Sequence, residues 1–134
     1  MVLLLFLPNH LFSVPNFGEQ DCQKVILFGI MRIVDWNIHR RLPPWDYLIN
    51  ELDADVALIQ ECSRLPEYLD SSKVIYTPAK DRKFGNAIYV KDAVWEELPI
   101  ETTRTGSLMV ARITTPKDES LVVINLYGLL EALP

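Results

Sequence analysis

The sequence is poor in the residues that staple or anchor small proteins. Two cysteines, Cys22 and Cys62, cannot build a disulfide framework. No CxxC pair and only two histidines are present, so no zinc spacing exists either. Reduced thiols are the expectation, and with them a cytoplasmic protein. No apolar run reaches the ~18 residues that span a bilayer. Met1 to Leu7 is apolar, but Pro8, Asn9 and His10 interrupt it, so no integral membrane association is expected. A basic leader and a small-residue cleavage site are missing, which argues against an export signal. Positive charge is scarce as well. The formal net charge of -5 makes the whole chain repel nucleic acid and anionic membranes, excluding a general DNA-coating role. It does not exclude a metal enzyme, because a bound divalent cation reverses the field at its own site.

What is present is the balance of a folded domain, 49% hydrophobic and 23% charged over 134 residues, enough for one domain and not two. Ser13 to Cys22, with Pro15, Asn16 and Gly18, reads as loop. Met31-Arg32-Ile33-Val34 then opens a strand abruptly. Met31 is the expected initiator, residues 1–30 an N-terminal extension not native to the protein, and 31–134 the domain.

Ile33 to Ile38 has the β-branched and aromatic content of a strand. Pro43 and Pro44 stop it, and Pro44 suits the first turn of a helix. Trp45, Leu48, Ile49 and Leu52 follow at helical spacing, until Asp53 and Asp55 break the pattern. Val56 to Ile59 is a continuous apolar run, as in a strand buried on both faces. Val74 to Tyr76 reads as a strand ending at Pro78, Lys80 to Lys83 as a charged loop, and Asn86 to Val90 as a strand led by Gly85. Val94 to Ile100 is ambiguous. Leu108 to Thr114 and Leu121 to Leu126 read as strands joined by a turn at Pro116 to Glu119. Strands with one early helix predict mixed sheets in an α/β sandwich. The strong central-strand pattern of Leu121 to Ile124 has few residues after it, so the core reads as incomplete.

Three apolar strands end in groups that could reach a common site: Trp36-Asn37, Gln60-Glu61, and Asn125 with Tyr127. Sites in open α/β sheets form outside strand ends, where side chains from separate strands converge. A carboxylate straight after an apolar run is costly unless solvated, paired or metal-bound. Magnesium takes one or two carboxylates plus waters and phosphate oxygens, so Glu61 alone could anchor an ion.

Met31 to Ile38, with its Trp36-Asn37 pair, resembles the opening strand of the endonuclease/exonuclease/phosphatase superfamily. Asp55-Val56-Ala57-Leu58-Ile59-Gln60-Glu61 is similar to that family's apolar strand ending in Gln-Glu, and Gly85 to Ile88 to its glycine-led strand. Leu121 to Gly128 resembles the strand that carries a catalytic His or Tyr. The resemblance implies a DNase I-like, four-layer α/β sandwich with mixed sheets and a flanking helix, present only in part and truncated before its C-terminal half. It implies a metal-dependent phosphoester hydrolase, nuclease or phosphodiesterase acting on nucleic acid or a small phosphodiester. Glu61 would be the ligand for Mg2+, with Mn2+ as the alternative ion. Asn37 would orient the phosphate or the attacking water, and Tyr127 would contact the scissile phosphate, as in the exonuclease III and abasic-site endonuclease branch. Gly128-Leu129-Leu130 departs from the Pro-Asn continuation of that branch, leaving the substrate class open. The family's later Gly-Asp-x-Asn and Ser-Asp-His motifs have no counterpart, so the metal half of the machinery is expected without the base, and the chain alone is expected to be inactive or nearly so. The alternative is a non-catalytic remnant or interaction module that keeps part of the fold. His39 is read as a loop residue, Trp36 as core, Cys62 as packing, and Arg40-Arg41 with Lys80 to Lys83 as solvated surface, with contact to phosphate as the alternative.

Overall fold

A central pair of parallel strands organises the chain. The computed structural model describes residues 11–12, 23–28, 31–102 and 105–127. In chain order the elements are β1 (Leu11–Phe12), β2 (Gln23–Phe28), β3 (Met31–Asn37), the helix α1 (Pro43–Asp46), β4 (Val56–Cys62), β5 (Val74–Pro78), β6 (Gly85–Val90), β7 (Val94–Glu97), β8 (Leu108–Thr114) and β9 (Ser120–Leu126). The fold is mixed α/β, mostly strand, in two sheets ordered β1-β2-β3-β4-β6-β5 and β7-β8-β9. Only β3 and β4 run parallel, from Ile33 beside Val56 to Asn37 beside Gln60. Every other described pairing is antiparallel.

Parallel neighbours need a crossover, and here α1 supplies it. Its start at Pro43 and Pro44 wastes no hydrogen bond, since the first helical N–H groups have no intrahelical partner. The expected apolar face is there: Trp45, Leu48 and Leu52 are buried and Ile49 packs beside them. Regular helix is shorter than the spacing suggests. From Tyr47 to Glu51 the turn widens to π-type, with the Leu52 N–H reaching the Tyr47 carbonyl at 2.9 Å. Leu52 and Ala54 both enter the core, with Asp53 left-handed at φ 49° between them. Asp55 then secures the entry to β4. Its carboxylate accepts the Arg32 N–H at 2.7 Å, and its own N–H returns to the Arg32 carbonyl at 2.9 Å.

The larger sheet is covered on both faces, which explains the uninterrupted apolar run of β4. Val34, Trp36, Ile38, Ala57 and Ile59 face α1 in one core. Ile33, Val56, Leu58, Ile88 and Val90 meet Met109, Ala111, Ile113, Leu121 and Val123 of the smaller sheet in the other. Each large side chain so buried contributes about 1.5–3 kcal/mol. The ambiguous stretch after Val94 proves to be β7 up to Glu97. Residues 23–28, assigned by the sequence to the extension, form β2 along β3, and Val25 is buried in the helix-side core. The Met1–Leu7 run, the Ser13–Cys22 loop and the Gly128-Leu129-Leu130 continuation lie outside the described residues. Among the described residues no helix is long and apolar enough to cross a membrane.

Gly85 is where β5 and β6 come closest. A Cβ there would stand 2.0 Å from the Thr77 carbonyl oxygen and 2.6 Å from Pro78 Cα. Gly85→Ala therefore forces the hairpin apart, and a loss of about 1–3 kcal/mol in urea unfolding is expected. A variant as stable as the parent would show that the approach is not that close in solution.

Candidate functional site

The three residues singled out at strand ends converge on one carboxylate. Asn37 closes β3, Glu61 lies near the end of β4, and Tyr127 follows β9. The Asn37 side-chain amide donates to Glu61 Oε1 at 3.1 Å, and the Tyr127 hydroxyl donates to the same oxygen at 3.0 Å.

A β-bulge aims Glu61. Ile59 lies opposite Ala87 and Cys62 opposite Gly85, so β4 advances three residues while β6 advances two. Such an extra residue bends the strand and re-aims a side chain. Regular alternation would send Glu61 toward the helix with Ile59. Instead Cys62 takes that place in the core, and Glu61 turns out at φ 52°. His39 and Arg40 are also left-handed, at φ 48° and 64°. Each such non-glycine residue costs about 1–3 kcal/mol and persists only where its surroundings over-determine it. Here the turn is laced to β4. The Ile38 N–H donates to the Gln60 carbonyl at 3.1 Å, the Arg40 N–H to the Glu61 carbonyl at 2.8 Å, and the His39 N–H to Asn37 Oδ1 at 3.0 Å.

Beneath the carboxylate lies a buried amide layer. Gln60 Nε2 donates to Asp35 Oδ1 and Asn125 Oδ1, both at 2.8 Å. Asn125, fully buried in the smaller sheet, sends its own N–H groups to the Ile59 and Ala87 carbonyls of the larger one, at 3.0 and 2.9 Å. Asn86 adds a second tie between the sheets, donating to the Ser107 carbonyl at 3.2 Å. The Tyr127 N–H bonds the same carbonyl at 2.8 Å, which sets the height of its ring.

Around the rim the chain is basic and aromatic. The Arg40 guanidinium stands 5.8 Å over the Phe84 ring, a cation–π distance, and Phe84 meets Tyr127 edge-on at 5.7 Å. Arg82 and Arg40 both act on Tyr127 electrostatically. Burial, and then the hydrogen bond to Glu61, push the Tyr127 phenol above its ordinary value, so it is a donor at neutral pH. The loop carrying Phe84 is held by the Lys80 N–H to the Thr105 carbonyl at 3.1 Å. Gly106 permits this: it is left-handed at φ 77°, and a Cβ would stand 2.3 Å from the Pro78 carbonyl oxygen.

Other expectations fare differently. Trp36 is core and Cys62 is buried packing, its thiol pushed up to about 12 chiefly by burial. Lys80 to Lys83 are exposed, as expected of solvated surface. Arg40 is not simply solvated: although 61% exposed, it covers Phe84, and its Nε lies 3.9 Å from Glu61 Oε2. His39 is in a loop, as expected, yet its Nδ1 stands 3.8 Å from the same oxygen. Phe84 carries no signal beyond its place between a basic run and Gly85. Asp35 had one, a carboxylate inside a strand.

The donor chemistry fits a divalent ion of limited coordination. Two donors fix Glu61 Oε1 and thereby orient Oε2, a hard oxygen suited to magnesium. Among the described residues no three of His, Cys, Asp or Glu cluster into a cage. An ion here would share its coordination with water and substrate oxygens, as magnesium commonly does.

Two outcomes test the site. Asn125→Leu removes the donors to the buried Ile59 and Ala87 carbonyls and one acceptor of Gln60, which keeps Asp35, and a loss of about 2 kcal/mol or more is expected by urea unfolding; unchanged stability would mean the bridge contributes nothing. The raised Tyr127 pKa favours the folded state while the phenol is neutral. That contribution is complete below its ordinary value of 10.0 and is lost as pH rises through the higher folded value. Between about pH 8 and pH 11 the parent should lose more stability than Tyr127→Phe, and parallel curves would refute the shift.

Comparisons with family models, curated proteins and solved structures find no match to this chain.

Proposed function

We propose that the chain is a metal-dependent phosphoester hydrolase of the endonuclease/exonuclease/phosphatase type, acting on a phosphodiester in nucleic acid or a small molecule. The observation that carries this reading is the convergence of Asn37, Glu61 and Tyr127 on one strained strand end. Two face-to-face sheets with a helix outside one of them are what three layers of a DNase I-like sandwich would look like. The basic rim supports an anionic substrate, since Arg40 and Arg82 concentrate positive charge locally on a chain of net charge -5.

In this reading Glu61 holds Mg2+, or Mn2+ in its place. Such an ion, when bound, polarises a phosphoryl oxygen and stabilises the leaving group's charge. Asn37 and Tyr127 hold the carboxylate in one orientation. The single Tyr127 O–H is committed to Glu61, so donating to a phosphate oxygen would require it to release that carboxylate. Arg40 and Arg82 attract and position the phosphate, and Phe84 braces Arg40 against Tyr127. In-line attack by water needs a base, and a phenol held protonated is not one. Turnover by this chain is therefore expected to be slow. A second reading, an interaction module that keeps the fold without the chemistry, is favoured by the same point, that Tyr127 does not supply a base.

Hydrolysis of bis-p-nitrophenyl phosphate with Mg2+ or Mn2+ separates the two. The expected outcome is slow, metal-dependent release of nitrophenolate, lowered about a hundredfold or more by Glu61→Gln, as when a transition-state charge stabiliser is removed. A folded chain silent with both metals leaves the interaction-module reading.

A further inference from the structure

We infer that His39 is a second ligand beside Glu61, and that this imidazole makes the site prefer a later first-row transition ion such as Co2+ or Zn2+ over Mg2+. The inference rests on the reading of Glu61 as a metal ligand and deepens it. Its ground is the approach of His39 Nδ1 to within 3.8 Å of Glu61 Oε2, the oxygen that accepts neither the Asn37 nor the Tyr127 hydrogen bond. Two ligands on one ion with bonds of about 2.0–2.2 Å lie roughly 3.0–3.6 Å apart, so a small inward shift joins them.

The backbone around both side chains is built for that approach. His39 takes a left-handed conformation that a non-glycine residue seldom adopts, and so does Glu61. The His39 N–H is tied to Asn37, whose side-chain amide also holds Glu61. One asparagine thus sets the turn that carries the imidazole and the angle of the carboxylate together. The next residue, Arg40, is pinned through its N–H to the Glu61 carbonyl, which fixes the turn against β4. Its Nε stands 3.9 Å from the same oxygen, while its guanidinium stays over the Phe84 ring.

Ligand chemistry decides which ion benefits. Magnesium favours hard oxygen donors and gains little from an imidazole, whereas cobalt and zinc bind nitrogen well and rank above manganese in affinity for mixed sites. One carboxylate and one imidazole leave several positions for water and for substrate oxygens. That arrangement suits hydrolytic chemistry without a closed cage.

Calorimetric titration of the untagged full chain with Co2+ and with Mg2+ at pH 8 tests this, together with proton NMR of the Co2+ complex. The variants are His39→Asn, chosen because asparagine tolerates the left-handed turn, and Glu61→Gln, each checked for folding by circular dichroism. The parent should bind one Co2+ more tightly than Mg2+ and show a hyperfine-shifted imidazole N–H resonance. His39→Asn should abolish that resonance and weaken Co2+ binding about tenfold or more, with Mg2+ binding little changed. Glu61→Gln should lose both ions. If His39→Asn keeps the Co2+ affinity and the resonance pattern of the parent, the imidazole is no ligand and the inference falls, while the reading of Glu61 stands. If the folded parent binds neither ion, or Glu61→Gln binds both as well as the parent does, both fall.

Discussion

The buried amide of Asn125 is the contact on which the geometry of this protein turns. It rises from the smaller sheet into the dry space between the two and bonds the Ile59 and Ala87 carbonyls of the larger. Ile59 and Ala87 are the pair at which the regular β4–β6 register ends. A buried polar group is stabilising only when fully paired, and Asn125 is paired on both sides, since its own oxygen accepts from Gln60. The two sheets consequently have a defined register against each other. Apolar packing of Ile33, Leu58, Ile113 and Val123 is non-directional and would tolerate sliding. The amide does not. Because Tyr127 comes two residues after Asn125, just past the end of β9, that register also decides that its hydroxyl meets Glu61.

Strain is concentrated where chemistry is expected. His39, Arg40 and Glu61 are left-handed without being glycine, and the first two stand beside the carboxylate of the third. Among the described residues the other left-handed non-glycine positions are Asp53, Asp81 and Asp118, all aspartates, a type that visits this region comparatively easily. Histidine shares that ease in part, but arginine and glutamate do not. Their conformations are held by the bulge and by the backbone bonds that lace the turn to β4. Stored strain of this kind costs stability and is retained where it positions something.

Net charge and local charge have opposite signs. The chain is acidic as a whole, yet the rim of the site brings Arg40 and Arg82 to Tyr127 and Glu61. Long-range steering of a large polyanion is weak under that balance, while an anion at the rim would meet cations at close range. Phe84 makes this possible by holding Arg40 over its ring rather than leaving it to sweep solvent. The loop that carries Phe84 is positioned by backbone contacts at Lys80 and Gly106, neither of which touches Glu61 in the described hydrogen bonds or ion pairs.

Much of the fold was legible because its signals are local. The apolar run Val56 to Ile59 meant a strand covered on both faces, and Pro43-Pro44 before Trp45, Leu48 and Leu52 meant a helix with one buried side. Asn37, Glu61 and Tyr127 could be named because each ends or follows an apolar strand, and strand ends are where open sheets assemble sites. The widened turn at Tyr47, the use of residues 23–28 as a strand along β3, and the approach of His39 and Arg40 to Glu61 were not legible. They depend on contacts between segments 20 or more residues apart, or on which backbone groups remain to be paired once the sheet has formed. Sequence by itself determined which residues are apolar, where most of the strands and the crossover helix lie, and that a carboxylate stands near the end of β4. Only the tertiary structure decided where that carboxylate points, because a one-residue bulge against β6 and a buried amide from the other sheet set its direction, and neither leaves a periodic trace in the chain.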